Sequence, residues 1–168
     1  MKAQVYHSEI DSPLGRLSVF ATEKGVVRLT WKEAAGDLLL ENITKNSTLH
    51  WNSGNEPTRL ACRQLELYFN GYLREFDVPL DLEGTAFQLR VWEQLCRIPF
   101  GTAISYQQLA EAVDNPQAMR AVGNANGRNP VPILVPCHRV IQKDGSIGGY
   151  SGGIHIKKWL LNHEGLQF

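Results

Sequence analysis

Long apolar runs are missing from this sequence. None of its 168 residues falls in a stretch approaching the ~20 consecutive apolar positions that a membrane span requires. The opening MKAQVYHSEIDSPLG also lacks the apolar segment of a secretory signal. Cysteine is scarce: Cys62, Cys96 and Cys137 stand far apart. An odd, scattered set argues against a disulfide framework and fits a reducing compartment. No CxxC or CxxH pair is present, and of the five histidines only His138 lies beside a cysteine, so no metal site is expected. Net charge is absent too, with 17 basic and 17 acidic side chains. These gaps point to a cytoplasmic protein with no membrane partner.

What is present is ordinary in bulk and uneven in detail. Apolar residues make up 43% and charged residues 20%, as in soluble globular proteins. The length suits one large domain or two small ones, with a core that needs no staples. The charge is segregated. Residues 116–158 hold Arg120, Arg128, Arg139, Lys143, Lys157 and Lys158 against Asp144 alone. A neutral chain with a basic third can offer a local positive field to a polyanion, although chance clustering gives the same count.

The N-terminal part reads as α/β. Short β-rich runs at Val5–Ile10, Arg16–Ala21 and Val26–Trp31 are separated by turn signals, as in antiparallel strands. Residues 41–56 are polar and read as loop plus a short strand. Thr58–Asn70 carries Leu60, Ala61, Leu65, Tyr68 and Phe69 on a helical stripe. Pro79 and Gly84 mark a composition change, which places a boundary between domains at 1–83 and 84–168. Beyond it, Thr85–Cys96 reads as a helix with Thr85 as N-cap, on a Phe87, Val91, Trp92, Leu95 stripe. Ser105–Val113 reads as a second helix capped by Ser105. After Asp-Asn-Pro, Gln117–Ala125 reads as a third, with Pro116 in its first turn. The last two resemble a helix-turn-helix, though plain helical hairpins look the same. The third helix is small-faced, with Ala118, Ala121, Gly123, Ala125 and Gly127. That suits a minor groove probed by one arginine better than a major-groove reader.

The densest chemistry lies in NPVPILVPCHRV, Asn129 to Val140. An apolar run broken by prolines ends in Cys137, His138 and Arg139. A buried cysteine is commonly a small hydrophobe, but a cysteine beside a titratable base can be a nucleophile. In an extended segment adjacent side chains face opposite ways, so Cys137 and His138 would communicate through a bridging water. QKDGSIGGYSGG follows. It is either a glycine-rich hairpin at Asp144-Gly145 or a loop whose backbone N–H groups line a pocket around Ser151. IHIKKWLLNHEG closes the chain as a helix on Ile154, Trp159, Leu160 and Leu161. Glu164 lies at its C-terminal end, where the helix dipole disfavours a carboxylate.

PCHRV at Pro136–Val140 is preceded by RNPVPILV and followed by GYSGG. ISYQQLA, RAVGNANG and KKWLLNHEG lie around them. Together these segments make residues 85–165 resemble the O6-alkylguanine–DNA alkyltransferases. The resemblance implies an RNase-H-like α/β N-terminal domain of structural role. It implies a mostly α C-terminal domain, winged-helix-like, with a helix-turn-helix. It implies DNA repair by direct reversal: transfer of a methyl or alkyl group from O6 of guanine, or O4 of thymine, to Cys137, once per molecule. His138 and Glu164 match the base and its orienter. Tyr106 matches the residue that donates to N3 of the flipped base, and Arg120 the finger that fills the gap in the stack. Asn129 matches the hinge between helix and active-site loop. The Ser151 N–H is expected to donate to O6, and the carbonyls of Cys137 and Val140 to accept from the exocyclic amine. Arg128 and Gly152 complete the DNA- and base-binding set. The partner is double-stranded DNA carrying the lesion, bound through its minor groove with base flipping by a monomer that needs no cofactor.

Two departures matter. Asn126 and Gly127 stand where some relatives carry bulkier residues, which would widen the pocket mouth. The zinc-binding cysteines and histidines of some relatives are absent, and no zinc-bearing sensor domain precedes the repair module, so transcriptional activation is not expected. Competing functions are a lesion-shielding protein, argued against by Cys137, a DNA-binding regulator without chemistry, and a thiol hydrolase indifferent to DNA.

Overall fold

The computed structural model describes residues 2–31 and 37–168. The chain divides into two compact units, Met1–Leu82 and Glu83–Phe168. In the first, β1 (Ala3–Ser12), β2 (Gly15–Ala21) and β3 (Val26–Trp31) form an antiparallel meander. The tight β1–β2 connection closes at Gly15, whose φ of 100° is open to glycine at no steric cost. A fourth strand, β4 (Ser47–His50), pairs parallel with β1 and gives the order β3-β2-β1-β4. A parallel neighbour needs a crossover, and helix α1 (Asp37–Asn46) lies in it. Residues 41–46 are therefore helix, where the sequence reads as loop. The apolar positions that reveal the helix include Leu39 and Leu40, outside the polar window that begins at Glu41.

Strand β2 is buried along Leu17–Ala21, odd and even positions alike, which requires cover on both faces. Helix α2 (Glu56–Phe69) packs on β1, β2 and β3 and buries Ala61, Leu65 and Tyr68 completely. Each large apolar side chain so buried contributes about 1.5–3 kcal/mol. Leu60 is only half-buried, and Thr58 and Gln64 share the inner face instead. Gln64 is satisfied there by Asp77, whose N–H it accepts at 3.1 Å. Asn55 caps α2 by accepting the Thr58 N–H at 3.1 Å. Its own amide donates to the Thr22 carbonyl at 2.9 Å, so the cap also fixes the helix to the end of β2.

The second unit is mostly helical. It comprises α3 (Ala86–Cys96), α4 (Tyr106–Ala112), α5 (Met119–Gly127) and α6 (Ile154–His163), with two-residue strands β5 (Ile104–Ser105) and β6 (Val140–Ile141). Thr85 and Ser105 cap α3 and α4, each in a reciprocal capping box. Helix α5 starts two residues later than its sequence suggests and runs two further, with no side-chain cap. Pro116–Ala118 forms a turn rather than a first helical turn. Trp92 on α3 donates its indole N–H to the Ala125 carbonyl at 2.9 Å and anchors α5. The parallel pair Ile104–Val140 sets the start of α4 beside the residues that follow Cys137. Between α5 and the cysteine, Val131, Ile133, Leu134 and Val135 are all buried. Ile133 sits there at φ 74°, a strained conformation for a β-branched residue that its packing must hold. No described helix is long and apolar enough to cross a membrane.

Asn55→Ala removes both the α2 cap and the bond to Thr22. Urea unfolding of the variant should show about 1–2 kcal/mol lost with an unchanged denaturant slope. An unchanged midpoint would show that the cap is dispensable.

Candidate active site

Cys137 begins a single 3-10 turn, Cys137–Arg139, and does not lie in an extended segment as its sequence suggests. Pro136 stops the preceding run, and the turn closes through the Arg139 N–H to the Pro136 carbonyl at 3.1 Å. The cysteine is 4% exposed and His138 fully buried. No hydrogen bond joins the two side chains among the described residues. The Asn129 and Tyr150 side chains instead oppose the effect of burial on the thiol. His138 turns its Nε2 to Glu164 Oε1 at 2.8 Å, and its Nδ1 is buried with no protein partner.

Glu164, at the C-cap of α6, gathers this corner. Arg139 approaches it in a fork, Nε to Oε2 and Nη2 to Oε1, both at 2.9 Å. The Gly101 N–H adds a third donor at 3.3 Å, and Arg139 Nη1 donates onward to the Ile98 carbonyl at 2.6 Å. The carboxylate at a dipole-disfavoured position is therefore held from the other side. Burial alone would raise its pKa, but the bonds from His138 and Arg139 outweigh burial and hold it well below the usual carboxylate range. Burial pushes the His138 imidazole down, against the pull of Glu164, and pushes the Cys137 thiol up. Asn129, the Lys157 ammonium and Tyr150 oppose that rise at the sulfur. The resting pair is a neutral thiol and a neutral imidazole beside an ionised carboxylate.

Lys157 is fully buried on α6, and its Nζ donates to the Val140 carbonyl at 2.6 Å and the Gly149 carbonyl at 3.1 Å. Burial lowers its pKa to about 8, partly offset by the nearby Cys137 sulfur. It thereby staples the glycine-rich loop to the segment after the cysteine. Asn126, 6% exposed, donates Nδ2 to the Cys137 carbonyl at 3.3 Å. Asn129 joins the end of α5 to the apolar run, donating to the Val135 carbonyl at 2.7 Å and accepting the Val131 N–H at 3.0 Å.

These groups surround a cavity of about 170 Å³ that Cys137 faces, with Tyr106, Gly123 and Asn126 on one side and Gly149, Tyr150 and Ser151 on the other. Of the residues singled out from the sequence, Cys137, Tyr106 and Ser151 line it. Asn129 lies outside the lining, bonded to Val131 and Val135, and His138 and Glu164 form a buried pair outside it as well. Gly152 lies in the turn beside Ser151, outside the lining. Arg120 and Arg128 are exposed at opposite ends of α5. The Cys137 and Val140 carbonyls each already accept a buried side-chain donor. The basic cluster read from the sequence shrinks at the surface, because Arg139 and Lys157 are buried and engaged. The glycine-rich segment is not a hairpin of strands: Gly145, at φ 86°, closes a turn in which Gln142 pairs with Ser146, and a loop follows. No group of three or more described His, Cys, Asp and Glu side chains is placed to hold a metal ion.

The bonds that three side chains make around the site escape a sequence reading: those of Arg139, Lys157 and Asn126. A signal existed for one. Lys157, Leu160, Leu161 and Glu164 share the i, i+3, i+4, i+7 spacing of one helix face, and all four are buried. That stripe, not one through Ile154, faces inward; Ile154 is 54% exposed.

Residues 5–82 match the family described as 6-O-methylguanine DNA methyltransferase, ribonuclease-like domain. Residues 86–166 match its DNA binding domain. The methylated-DNA–protein-cysteine methyltransferase of Methanosarcina barkeri is 42% identical over 160 residues, covering 95% of this chain and 97% of that one. The crystal structure of the Mycobacterium tuberculosis O6-methylguanine methyltransferase superposes with a TM-score of 0.82 at 42% identity, covering 95% of this chain and 92% of that one. The same organism's OGT in complex with DNA superposes at 0.80. With a buried cysteine, a buried His–Glu pair that starts at the next residue and both halves of the chain matched, this protein belongs to the 6-O-methylguanine DNA methyltransferase family.

Proposed function

We propose that the protein repairs alkylated DNA by direct reversal, moving a methyl or larger alkyl group from O6 of guanine, or O4 of thymine, to the sulfur of Cys137. The observation that carries this reading is a buried thiol facing a small cavity, with the next residue of the same turn, His138, buried and paired to Glu164. His138 Nδ1, the ring nitrogen with no protein partner, takes the thiol proton through a water, and Glu164 stabilises the imidazolium that forms. The thiolate attacks the alkyl carbon. A C–S bond forms, the C–O6 bond breaks with its electron pair left on the base, and a proton then neutralises the guanine. Asn129, Lys157 and Tyr150 each act on the sulfur against the effect of its burial, which favours the charged nucleophile at the moment it is made. The product is a thioether, which water does not cleave, so each molecule acts once and no cofactor takes part.

The lesion lies inside a duplex and reaches the cavity by flipping. Helices α4 and α5 act as a helix-turn-helix within a winged-helix-like domain. The small face of α5, which places Gly123 3.8 Å from the Tyr106 ring at the position of an added Cβ, suits close approach to the minor groove. Exposed Arg120 fills the gap in the stack, and Arg128 contacts phosphate. The Tyr106 hydroxyl donates to N3 of the flipped base. The N–H of Ser151 donates to O6, with Gly152 keeping that turn tight. Val140 contributes its carbonyl to the base, and Asn129 couples α5 to the cysteine. The first unit, residues 1–83, serves as a structural domain and 84–168 carries the chemistry. The protein works as a monomer in the cytoplasm, where a free thiol persists.

Cys137→Ala should abolish transfer from an O6-methylguanine duplex while leaving duplex affinity within about threefold. Retained transfer would overturn the assignment of the acceptor. In a companion comparison, Arg120→Ala should lower the repair rate in a duplex at least tenfold more than alkylation by free O6-benzylguanine. Equal losses on both would remove the finger role.

Glu164→Gln removes the charge that favours protonated His138, so the imidazole becomes a poorer base and the thiolate forms only at higher pH. The pH profile of alkylation should move to alkaline values. A profile that stays in place would discard the relay.

A further inference from the structure

Among the described residues that line the cavity, one buried amide oxygen has no hydrogen-bond partner. The Cys137 carbonyl accepts Asn126 Nδ2 at 3.3 Å, and the Val140 carbonyl accepts the Lys157 ammonium at 2.6 Å. Each carbonyl that the family resemblance assigns to the exocyclic amine of guanine thus holds one buried donor and keeps a second lone pair for the base. Asn126 itself is nine-tenths buried and lines the cavity. Its Nδ2 is used, but its Oδ1 is buried with no hydrogen-bond partner. A buried amide oxygen without a donor costs free energy unless a ligand supplies one, and buried polar groups of this kind are uncommon outside functional sites. Its neighbours in the lining, Cys137 and Tyr106, are the groups that meet the base under the function proposed above.

We infer that Asn126 is a specificity-determining residue whose Oδ1 accepts a hydrogen bond from the 2-amino group of a flipped O6-alkylguanine. This rests on the alkyltransferase reading and deepens it. The chemistry is selective. An O6-alkylated guanine has lost its N1–H and keeps the 2-amino group as its base-edge donor. An O4-alkylated thymine has no N–H donor on its ring and would leave Oδ1 unsatisfied. A site with a buried acceptor rejects a ligand lacking the matching donor more strongly than a merely apolar pocket does. The residue therefore biases repair toward purine lesions with an exocyclic amine at C2. The same amide, through Nδ2, fixes the Cys137 carbonyl, so the reader and the nucleophile are held as one piece.

The test compares two soluble substrates that differ by one group, O6-benzylguanine and O6-benzylhypoxanthine, which lacks the 2-amino group. Rates of benzyl transfer to Cys137 are followed by intact-protein mass. The wild-type protein should prefer the guanine by about tenfold, the worth of one buried hydrogen bond left unmade. In Asn126→Leu, of similar volume and without polar atoms, the ratio should fall to within about threefold, mainly through a slower reaction with the guanine. If Asn126 only positions Cys137, the variant slows both substrates alike and the ratio stays, which overturns the inference. Equal rates for the two purines with the wild-type protein overturn it without any variant. No benzyl transfer to the wild-type protein would instead sink the alkyltransferase reading itself.

Discussion

The second unit is organised around one carboxylate. Glu164 is buried at the end of α6 and accepts from His138, from two nitrogens of Arg139 and from the Gly101 N–H. Without them a buried carboxylate would neutralise itself; with them it stays charged. That charge orients the imidazole that follows the nucleophile in the turn, and the same fork locks Arg139 against the Ile98 carbonyl. The 3-10 turn is thus pinned by both residues that follow Cys137. Breaking one partner of such a network leaves an uncompensated buried charge, which is far costlier than losing a surface pair.

A second buried charge complements the first. Lys157 lies one stretch of helix earlier on the same face and satisfies itself on two carbonyls, not on an anion. One helix face thus delivers a cation near the sulfur and an anion behind the imidazole, so α6 sets the electrostatics of the whole site. The strain at Ile133 belongs to the same economy of structure. The apolar walls are packed tightly enough to hold a disfavoured backbone, and they leave a space of about 170 Å³ in front of a thiol that burial keeps protonated until a base is engaged.

Much of this was legible in the chain. The antiparallel strands of the first unit follow from β-rich runs between turn residues, and the capped helices α3 and α4 follow from their N-caps Thr85 and Ser105. PCHRV with GYSGG points to the acceptor cysteine and its base. Other features were not legible, for physical reasons. Helix α1 straddles a polar stretch whose apolar partners lie just before it. The turn at Cys137 depends on the fork from Arg139 to a residue 25 positions away, which no local pattern encodes. The roles of Lys157 and Asn126 depend on which carbonyls come within reach after packing. A lysine on a buried helical stripe is readable in principle, whereas an asparagine at the end of a small-residue helix reads simply as tolerance for space.

The central claim is that Cys137 receives an alkyl group irreversibly, and a transfer stoichiometry tests it most directly. A known amount of protein is mixed with excess duplex carrying radiolabelled O6-methylguanine, and the label is counted and mapped by peptide mass. The account predicts one methyl group per chain, on Cys137, with no further repair once the protein is consumed. Repair continuing beyond one equivalent, or label absent from Cys137, would contradict it.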